Sequence, residues 1–188
     1  MNILIRTAAS GVVSRPDTTY RHNIEEVYLP DFVERVNWSP ILFARVCKAG
    51  RSIAQKFAER YYDGIGYGVL LYPENLIDGS EEGYARACCL DHTTFLPFPL
   101  YNKVTLGQKS NRFELKAGEE KIFSYNKGDA ELVCRTLEEV SAVAYIRTGD
   151  IVALELQPRK PLCARPEAGL RISGSYCGNP TLDFKIVL

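Results

Sequence analysis

An excess of charge of either sign is missing from this sequence. Its 23 lysines and arginines are matched by 23 aspartates and glutamates among 188 residues, and the pI is about 6.7. Affinity for the phosphate backbone of nucleic acid or for anionic lipid depends on a concentration of positive charge. We therefore expect neither nucleic acid nor a membrane surface as a partner.

Long hydrophobic runs are also missing. No apolar stretch approaches the roughly 20 residues of a membrane-spanning helix, and the opening segment 1–6 reaches an arginine too early for a secretory signal. The sequence therefore predicts a cytoplasmic protein. A composition of 46% hydrophobic and 24% charged residues is that of a globular chain, and we expect a single domain over residues 1–188.

Histidine is scarce, and cysteine is not arranged for metal binding. The two histidines, His22 and His92, lie far from any closely spaced cysteine pair, whereas a zinc site needs such a pair. Cys88 and Cys89 are adjacent and cannot easily bridge each other. We expect the six cysteines to be reduced and mostly buried, at positions Cys47, Cys88, Cys89, Cys134, Cys163 and Cys177.

Short runs of aromatic and β-branched residues, separated by glycine, proline and asparagine, predict an α+β fold that is mainly β. The predicted strands are 40–47, 66–72, 111–116, 120–125, 150–156, 170–176 and 182–188. The turn at Ala117 and Gly118 joins two alternating runs and predicts a hairpin. The proline-rich, basic segment 158–166 predicts an exposed loop or hinge.

Two segments predict helices. The first runs from Ser52, which begins a capping-box pattern, to Gly64, where left-handed backbone would end it. The second begins at Asp129 and ends before Thr148. The glycines of 64–68 follow a helix and precede a strand, which is the reverse of a phosphate-binding loop, so they predict a helix end and close backbone packing.

Catalytic side chains form no established pattern in the sequence. Two histidines and the lack of a Gly-x-Ser-x-Gly motif argue against acyl transfer by a serine triad. Asp91 and His92 would point to opposite faces of a strand. The acidic pairs at 25–26, 81–82, 119–120 and 138–139 are adjacent rather than two apart, so we interpret them as surface charge.

Four segments form a series that extends over most of the chain: VYLPDF at 27–32, KAGRSIAQKFAERYYD at 48–63, IRTGDIV at 146–152 and GNPTLDF at 178–184. The series resembles a shortened, divergent member of the fumarylacetoacetate hydrolase superfamily. The resemblance runs from Val12 to the C terminus, and it lacks the amino-terminal strand that precedes Pro16 in the family pattern. It implies a mixed β-roll with a few short helices, usually assembled as a homodimer.

The same resemblance implies a metal site whose ligands are replaced here. Members of the superfamily cleave or isomerise β-diketo and 2-oxo acids such as acylpyruvates, using Mg²⁺ held by a Glu-x-Glu pair and an Asp. These ligand positions fall on Ser39, Ile41 and Leu70. Mg²⁺ requires anionic oxygen, and loss of the metal removes the main stabiliser of an enolate. We therefore expect no metal, no cofactor and no catalytic residue.

The resemblance also marks positions on the substrate side. Arg86 stands where the family has a lysine, and Glu74 reverses the charge of a family arginine. The family's Thr-Gly-Thr-Pro turn falls on 154–158 without its hydroxyls. Arg15 either keeps an anion contact or is structural. The candidate ligand-binding residues are Arg15, Trp38, Tyr72, Glu74 and Arg86.

Three interpretations of the function stay open. The first is a non-catalytic scaffold whose former pocket binds a small carboxylate or a partner chain. The second is a working hydrolase, isomerase or decarboxylase that uses Glu74, Asp91, His92 or Glu155. The third is a module that pairs with an intact paralogue. An apolar, filled space between Ser39, Leu70 and Arg86 would favour the scaffold, whereas convergent carboxylates would favour the enzyme.

Overall fold

A computed structural model describes residues 1–21, 25–164 and 169–187, and these residues are mainly in strands. The strands are β1 (Ile3–Arg6), β2 (Val12–Arg15), β3 (Glu26–Tyr28), β4 (Arg35–Val46), β5 (Tyr62–Pro73), β6 (Thr94–Phe95), β7 (Phe113–Ala117), β8 (Glu120–Tyr125), β9 (Ile151–Glu155), β10 (Lys160–Ala164), β11 (Leu170–Tyr176) and β12 (Asn179–Val187). The helices are α1 (Gln55–Ala58), α2 (Glu81–Cys88) and α3 (Ala130–Val143), with short 3-10 turns at Asp17–Thr19, Glu74–Leu76 and Lys103–Gly107. His22 and the end of the predicted loop at Arg165 and Pro166 lie outside the described residues.

The strands form two mixed sheets. The larger has the order β2-β1-β9-β4-β5-β6, and β10 also pairs with the first part of β4; the smaller has the order β3-β12-β11-β7-β8. The long β4/β5 hairpin lies near the centre of the larger sheet, with Ser39 opposite Leu70. The α+β, mainly β fold predicted from the sequence is confirmed. All seven predicted strands form, 120–125 and 170–176 with the predicted bounds and the other five with shifted bounds, whereas β1, β2, β3, β6 and β10 were not predicted.

Local signals placed α3 and the β7/β8 hairpin correctly. The Asp129 side chain caps α3 by accepting a hydrogen bond from the Leu132 backbone N–H at 2.6 Å. Gly118 has a φ of +57°, which suits the left-handed backbone of a tight turn. Helix α2 was missed, although Ser80 caps it in the same way by accepting from the Gly83 N–H at 3.0 Å.

The first predicted helix is wrong in most of its length. Only Gln55–Ala58 are helical, Ala54 rather than Ser52 occupies the N-cap position, and Ser52 has a φ of +50°. From Tyr62 onward the chain belongs to β5, and Gly64 therefore lies inside a strand instead of ending a helix. Pairing of β5 with β4 satisfies backbone groups that a longer helix would have satisfied internally, so long-range pairing prevails over local propensity.

One face of the larger sheet packs against the smaller sheet, and we call it the core face. Aromatic pairs cross between the sheets, and three of them show the contact. Phe95 stacks on Phe184 at 3.7 Å between ring centroids, Tyr67 stacks on Phe113 at 4.8 Å, and Trp38 meets Phe123 edge-on at 6.1 Å. These contacts make the core face the main hydrophobic interior of the protein.

The opposite face of the larger sheet has its own apolar cluster, and we call it the cleft face. Residues on this face alternate with those of the core face along each strand, and helix α2 contributes Cys88 to the cluster. The face includes Ile3, Ile5, Ile41, Phe43, Leu70, Tyr72, Ile151 and Ala153. Gly66 leaves room for the Phe43 ring, which a Cβ at that position would strike. The predicted close packing in 64–68 is therefore confirmed.

Cys88, Cys134 and Cys163 are buried, whereas Cys47 and Cys89 are exposed. The expectation that most thiols are buried is therefore met for only half of them. Among the described residues, no helix has the length and apolar character needed to cross a membrane.

Candidate ligand-binding cleft

A cleft with a volume of about 480 Å³ opens at the edge of the cleft face. The turn between β1 and β2, the end of β9 and helix α2 form its walls. The lining residues are mostly apolar in character: Thr7, Ala8, Ala9, Gly11, Val13, Tyr84, Glu155, Pro158 and Arg159. Sites for small molecules have volumes of roughly 300–1,000 Å³ and combine apolar walls with a few polar groups. The cleft therefore has the size and composition of a small-molecule site.

Glu155 is the carboxylate of this cleft. It follows Ile151 and Ala153 at every second position of β9, which places it on the cleft face, and only 7% of it is exposed. Its Oε1 accepts a hydrogen bond from the Tyr72 hydroxyl at 2.7 Å, and its Oε2 accepts one from the Ala8 backbone N–H at 2.9 Å. The carboxylate thus joins β5 to the turn between β1 and β2.

Tyr72 is the donor that holds Glu155. Burial raises the pKa of Tyr72 well above its ordinary value; the nearby Arg15 lowers it and Glu155 raises it further. The phenol therefore keeps its proton at neutral pH. In this arrangement Tyr72 donates and Glu155 accepts.

Arg15 is a fully buried cation beneath Tyr72. Its guanidinium carbon lies 4.3 Å from the centroid of the Tyr72 ring. Its Nη2 donates to the Leu71 carbonyl at 2.9 Å, and its Nη1 donates to the Thr93 carbonyl at 3.1 Å and to the hydroxyls of Thr93 and Thr94. Both terminal nitrogens are therefore occupied by protein acceptors, and Arg15 places a fixed positive charge under the cleft.

Arg159 is the second cation of the cleft, and it is held by rings rather than by carboxylates. Its guanidinium carbon lies 4.7 Å from the centroid of the Tyr84 ring and 5.1 Å from that of Tyr72. Its Nη1 is buried and has no hydrogen-bond partner in the described part of the chain. A buried donor without a partner is uncommon in proteins. Arg159 lines the cleft and therefore brings to its wall a guanidinium whose hydrogen-bonding capacity is not filled by the described residues.

The fold of this chain matches that of solved structures at low sequence identity. Fumarylpyruvate hydrolase from Pseudomonas aeruginosa, solved with Mn²⁺ and pyruvate, has a TM-score of 0.80 with this chain at 17% identity, covering 100% of this chain and 90% of that one. The chain has the fold of the fumarylacetoacetate hydrolase superfamily. No protein-family profile matches the sequence, and neither does any curated protein.

Two further structures with the fumarylacetoacetate hydrolase fold are similar over nearly the whole chain. Maleylpyruvate hydrolase from Sphingobium sp. SYK-6 has a TM-score of 0.76 at 15% identity, covering 99% of this chain and 70% of that one. The 5-carboxymethyl-2-hydroxymuconate delta-isomerase from Mycobacterium smegmatis has a TM-score of 0.71 at 16% identity, covering 94% of this chain and 68% of that one. Hydrolases and an isomerase therefore share this fold.

The three positions that the family resemblance marks for metal ligands lie together on the cleft face. Ser39, Ile41 and Leu70 are all fully buried, and Ile41 and Leu70 belong to the apolar cluster of that face. The Ser39 hydroxyl donates to the Gln157 carbonyl at 2.8 Å. The described residues contain no group of three or more His, Cys, Asp or Glu placed to share a metal. The side chains at these positions do not fit a divalent metal ion, because none supplies an anionic oxygen.

The structure brings together only two of the five candidate ligand-binding residues, Arg15 and Tyr72. Trp38 points to the core face, so the sheet itself separates it from Tyr72. Glu74 begins the 3-10 turn after β5 and forms an ion pair with Arg35, whose Nε lies 3.6 Å from Oε2. Ligand binding by Trp38 and Glu74 stays a prediction.

Arg86 lies on α2 with 64% of its side chain exposed, and its Nη2 is 3.8 Å from the Asp78 carboxylate. It therefore does not enclose a space with Ser39 and Leu70, and its role in binding also stays a prediction. Of the acidic and histidine side chains considered for catalysis, Glu155 lines the cleft. Asp91 and His92 lie in a turn after α2, not on a strand, and His92 has a φ of +59°.

Sequence reasoning missed the role of Arg159, Tyr84 and the turn at 7–11. Arg159 belongs to the proline-rich segment predicted as a loop, but Lys160–Ala164 form β10 and pair with β4, so that prediction is wrong for residues 160–164. No spacing in the sequence joins Tyr84 to Arg159, because their meeting depends on how α2 covers the larger sheet.

Proposed function

We propose that the protein is a non-catalytic binding protein built on the fumarylacetoacetate hydrolase fold, and that it takes a small anionic molecule in the cleft beside Glu155 and Arg159. One observation carries the first half of this proposal. Hydrocarbon side chains at Ile41 and Leu70 stand at two of the marked ligand positions, and the hydroxyl of Ser39 is already bonded to Gln157.

The coordination chemistry of divalent ions explains why these side chains support the proposal. A divalent ion such as Mg²⁺ is retained by carboxylate and carbonyl oxygens and loses its water reluctantly. A metal that polarises a 2-oxo acid supplies several kcal/mol of transition-state stabilisation. One neutral hydroxyl that already donates elsewhere cannot replace that contribution, so metal-dependent turnover is not expected.

Metal analysis of the purified protein and turnover assays test the proposal. Acylpyruvates and oxaloacetate are supplied with Mg²⁺ or Mn²⁺, and a metal-dependent fumarylpyruvate hydrolase serves as the positive control. We expect no retained stoichiometric metal and no turnover above background. Saturable, metal-dependent turnover that is abolished by Glu155→Gln, but not by Glu119→Gln in the exposed β7/β8 turn, would reject the proposal.

A metal-independent enzyme is the second candidate, and the pairing of Glu155 with Tyr72 favours it. A buried carboxylate within 2.7 Å of a phenol in a cleft has the form of an acid–base pair. However, both carboxylate oxygens already accept hydrogen bonds from the protein. Turnover that is insensitive to EDTA and is lost in Tyr72→Phe and Glu155→Gln would establish this candidate and displace the first.

A further inference from the structure

The charges around the cleft do not cancel. Three charged side chains contact Tyr72 at the cleft: Arg15 and Arg159 lie 4.3 Å and 5.1 Å from the centroid of its ring, and Glu155 accepts its hydroxyl. Two guanidinium groups against one carboxylate leave one positive charge in excess. In a buried setting of low polarity, an excess charge attracts a counter-ion strongly. A ligand with a single negative charge would neutralise this excess.

The geometry of Arg159 suits a carboxylate. A guanidinium that lies over aromatic rings uses its faces for that contact, and its N–H groups project from the edge of the plane. Arg159 packs in this way near Tyr84 and Tyr72, and its Nη1 has no partner in the described part of the chain. A carboxylate accepts two parallel N–H groups from such an edge.

The rest of the cleft suits an apolar body. Ala8, Ala9, Val13, Pro158 and the ring of Tyr84 supply hydrocarbon walls. Both oxygens of Glu155 are already bonded to Tyr72 and Ala8, so the carboxylate contributes no free acceptor and repels a second negative charge. The cleft therefore discriminates against dianions and against polar ligands.

We infer that the cleft binds a small monocarboxylic acid with an apolar body, whose carboxylate pairs with Arg159 without any metal ion. This inference rests on the proposed function and names the ligand class for that site. In this protein a fixed guanidinium supplies the positive charge that a divalent ion supplies in a metal-dependent enzyme.

Calorimetric titration in the presence of EDTA tests the inference with benzoate and hexanoate as probes. Benzamide serves as an uncharged match for benzoate, and phthalate serves as a dianion. We expect saturable binding of at least one monocarboxylate, with binding of benzamide and phthalate at least about tenfold weaker, since a charge-assisted hydrogen bond is worth a factor of this size or more. Failure of both monocarboxylates to saturate would overturn the inference.

Three variants locate the binding site. Arg159→Gln removes the guanidinium and is expected to raise Kd at least about tenfold. Arg159→Lys keeps the charge but not the flat edge, so its Kd should lie between those of the unaltered protein and of Arg159→Gln. Gly11→Leu narrows the cleft without changing charge; a Cβ there meets only the Thr7 hydroxyl, at 3.4 Å. Lys160→Gln, at an exposed neighbouring cation, is the control and should leave Kd unchanged.

The outcomes separate this inference from the proposed function. Equal affinity in Arg159→Gln and in the unaltered protein, with both folded by circular dichroism, would overturn the inference and leave the absence of metal-dependent turnover standing. Metal-dependent turnover of an acylpyruvate would reject the proposed function, whereas the metal-free titration would still report whether Arg159 binds a monocarboxylate.

Discussion

The two faces of the larger sheet differ in what they bury. The core face buries hydrocarbon and aromatic rings that meet the smaller sheet, as Tyr67 does with Phe113. The cleft face buries hydrocarbon at Ile41 and Leu70, and elsewhere on the same face it buries the charges of Arg15 and Glu155. Both faces come from the same strands, and a shift of one residue moves a side chain from one to the other.

The difference shows where stability and binding are located. Burial of apolar area stabilises the fold by about 25 cal/mol per Å², and the core face supplies most of it. Buried charges contribute little net stability, because desolvation offsets their attraction. We interpret the burial of Arg15 and Glu155 on the cleft face as a feature of the proposed binding site rather than of stability. This interpretation predicts different responses to substitution on the two faces.

Leu70→Asp is expected to give the largest effect. It would place a carboxylate in a fully buried, apolar part of the cleft face, and we expect a loss of unfolding free energy greater than about 4 kcal/mol in urea denaturation. Leu70→Asn is the matched control for polarity without charge and should cost less. A variant that is as stable as the parent, or that regains stability on addition of Mn²⁺, would show that this position still supports a metal ligand.

Leu42→Ala probes the core face one position away from Ile41. Leu42 is fully buried in the main hydrophobic cluster, so the lost contacts and the cavity should cost about 2–5 kcal/mol in urea unfolding. The Kd for benzoate should stay unchanged, because Leu42 points away from the cleft. Phe57→Ala, at an exposed ring, is the control. A change in Kd without a change in stability would break the comparison between the two faces.

Tyr72→Phe probes the polar end of the cleft face. Removal of the hydroxyl leaves Glu155 without one of its two protein donors, while the ring under Arg159 and over Arg15 is kept. We expect a loss of about 1–3 kcal/mol by urea denaturation. Tyr145→Phe, at an exposed phenol, should be neutral. A neutral Tyr72→Phe variant would indicate that the bond to Glu155 adds nothing to the fold.

Alkaline pH should change the stability of the fold least of all these tests. We expect no loss of stability at neutral pH and a growing loss above about pH 10. Burial raises the pKa of Tyr176, which lies on the smaller sheet and packs against the core face, from 10.0 to about 12. A group whose pKa is higher in the folded state stabilises fully below its unfolded pKa, and this contribution is lost as pH rises through the folded value. Tm should therefore fall between about pH 10 and pH 12, and less steeply in Tyr176→Phe. Identical slopes in the two proteins would contradict this assignment.

Elements that depend on interactions between residues close in the sequence were predicted, whereas some elements that depend on long-range pairing were not. Asp129 and Gly118 act on residues within a few positions, so α3 and the β7/β8 hairpin were predicted. The segment after Ser52 carries equally clear helix signals, but Tyr62 pairs with Val46 and the strand prevails. Short strands such as β6 were missed because two residues carry no periodicity.

The same distinction between local and long-range information applies to the candidate site. The sequence by itself determined the overall balance of charge and the residue types Ser39, Ile41 and Leu70, none of which carries a carboxylate at the positions that the family resemblance marks. Only the tertiary structure decided that Glu155 meets Tyr72 and that Arg159 lies over Tyr84. These residues come from separate segments, and the register of β4, β5 and β9 with the placement of α2 brings them together.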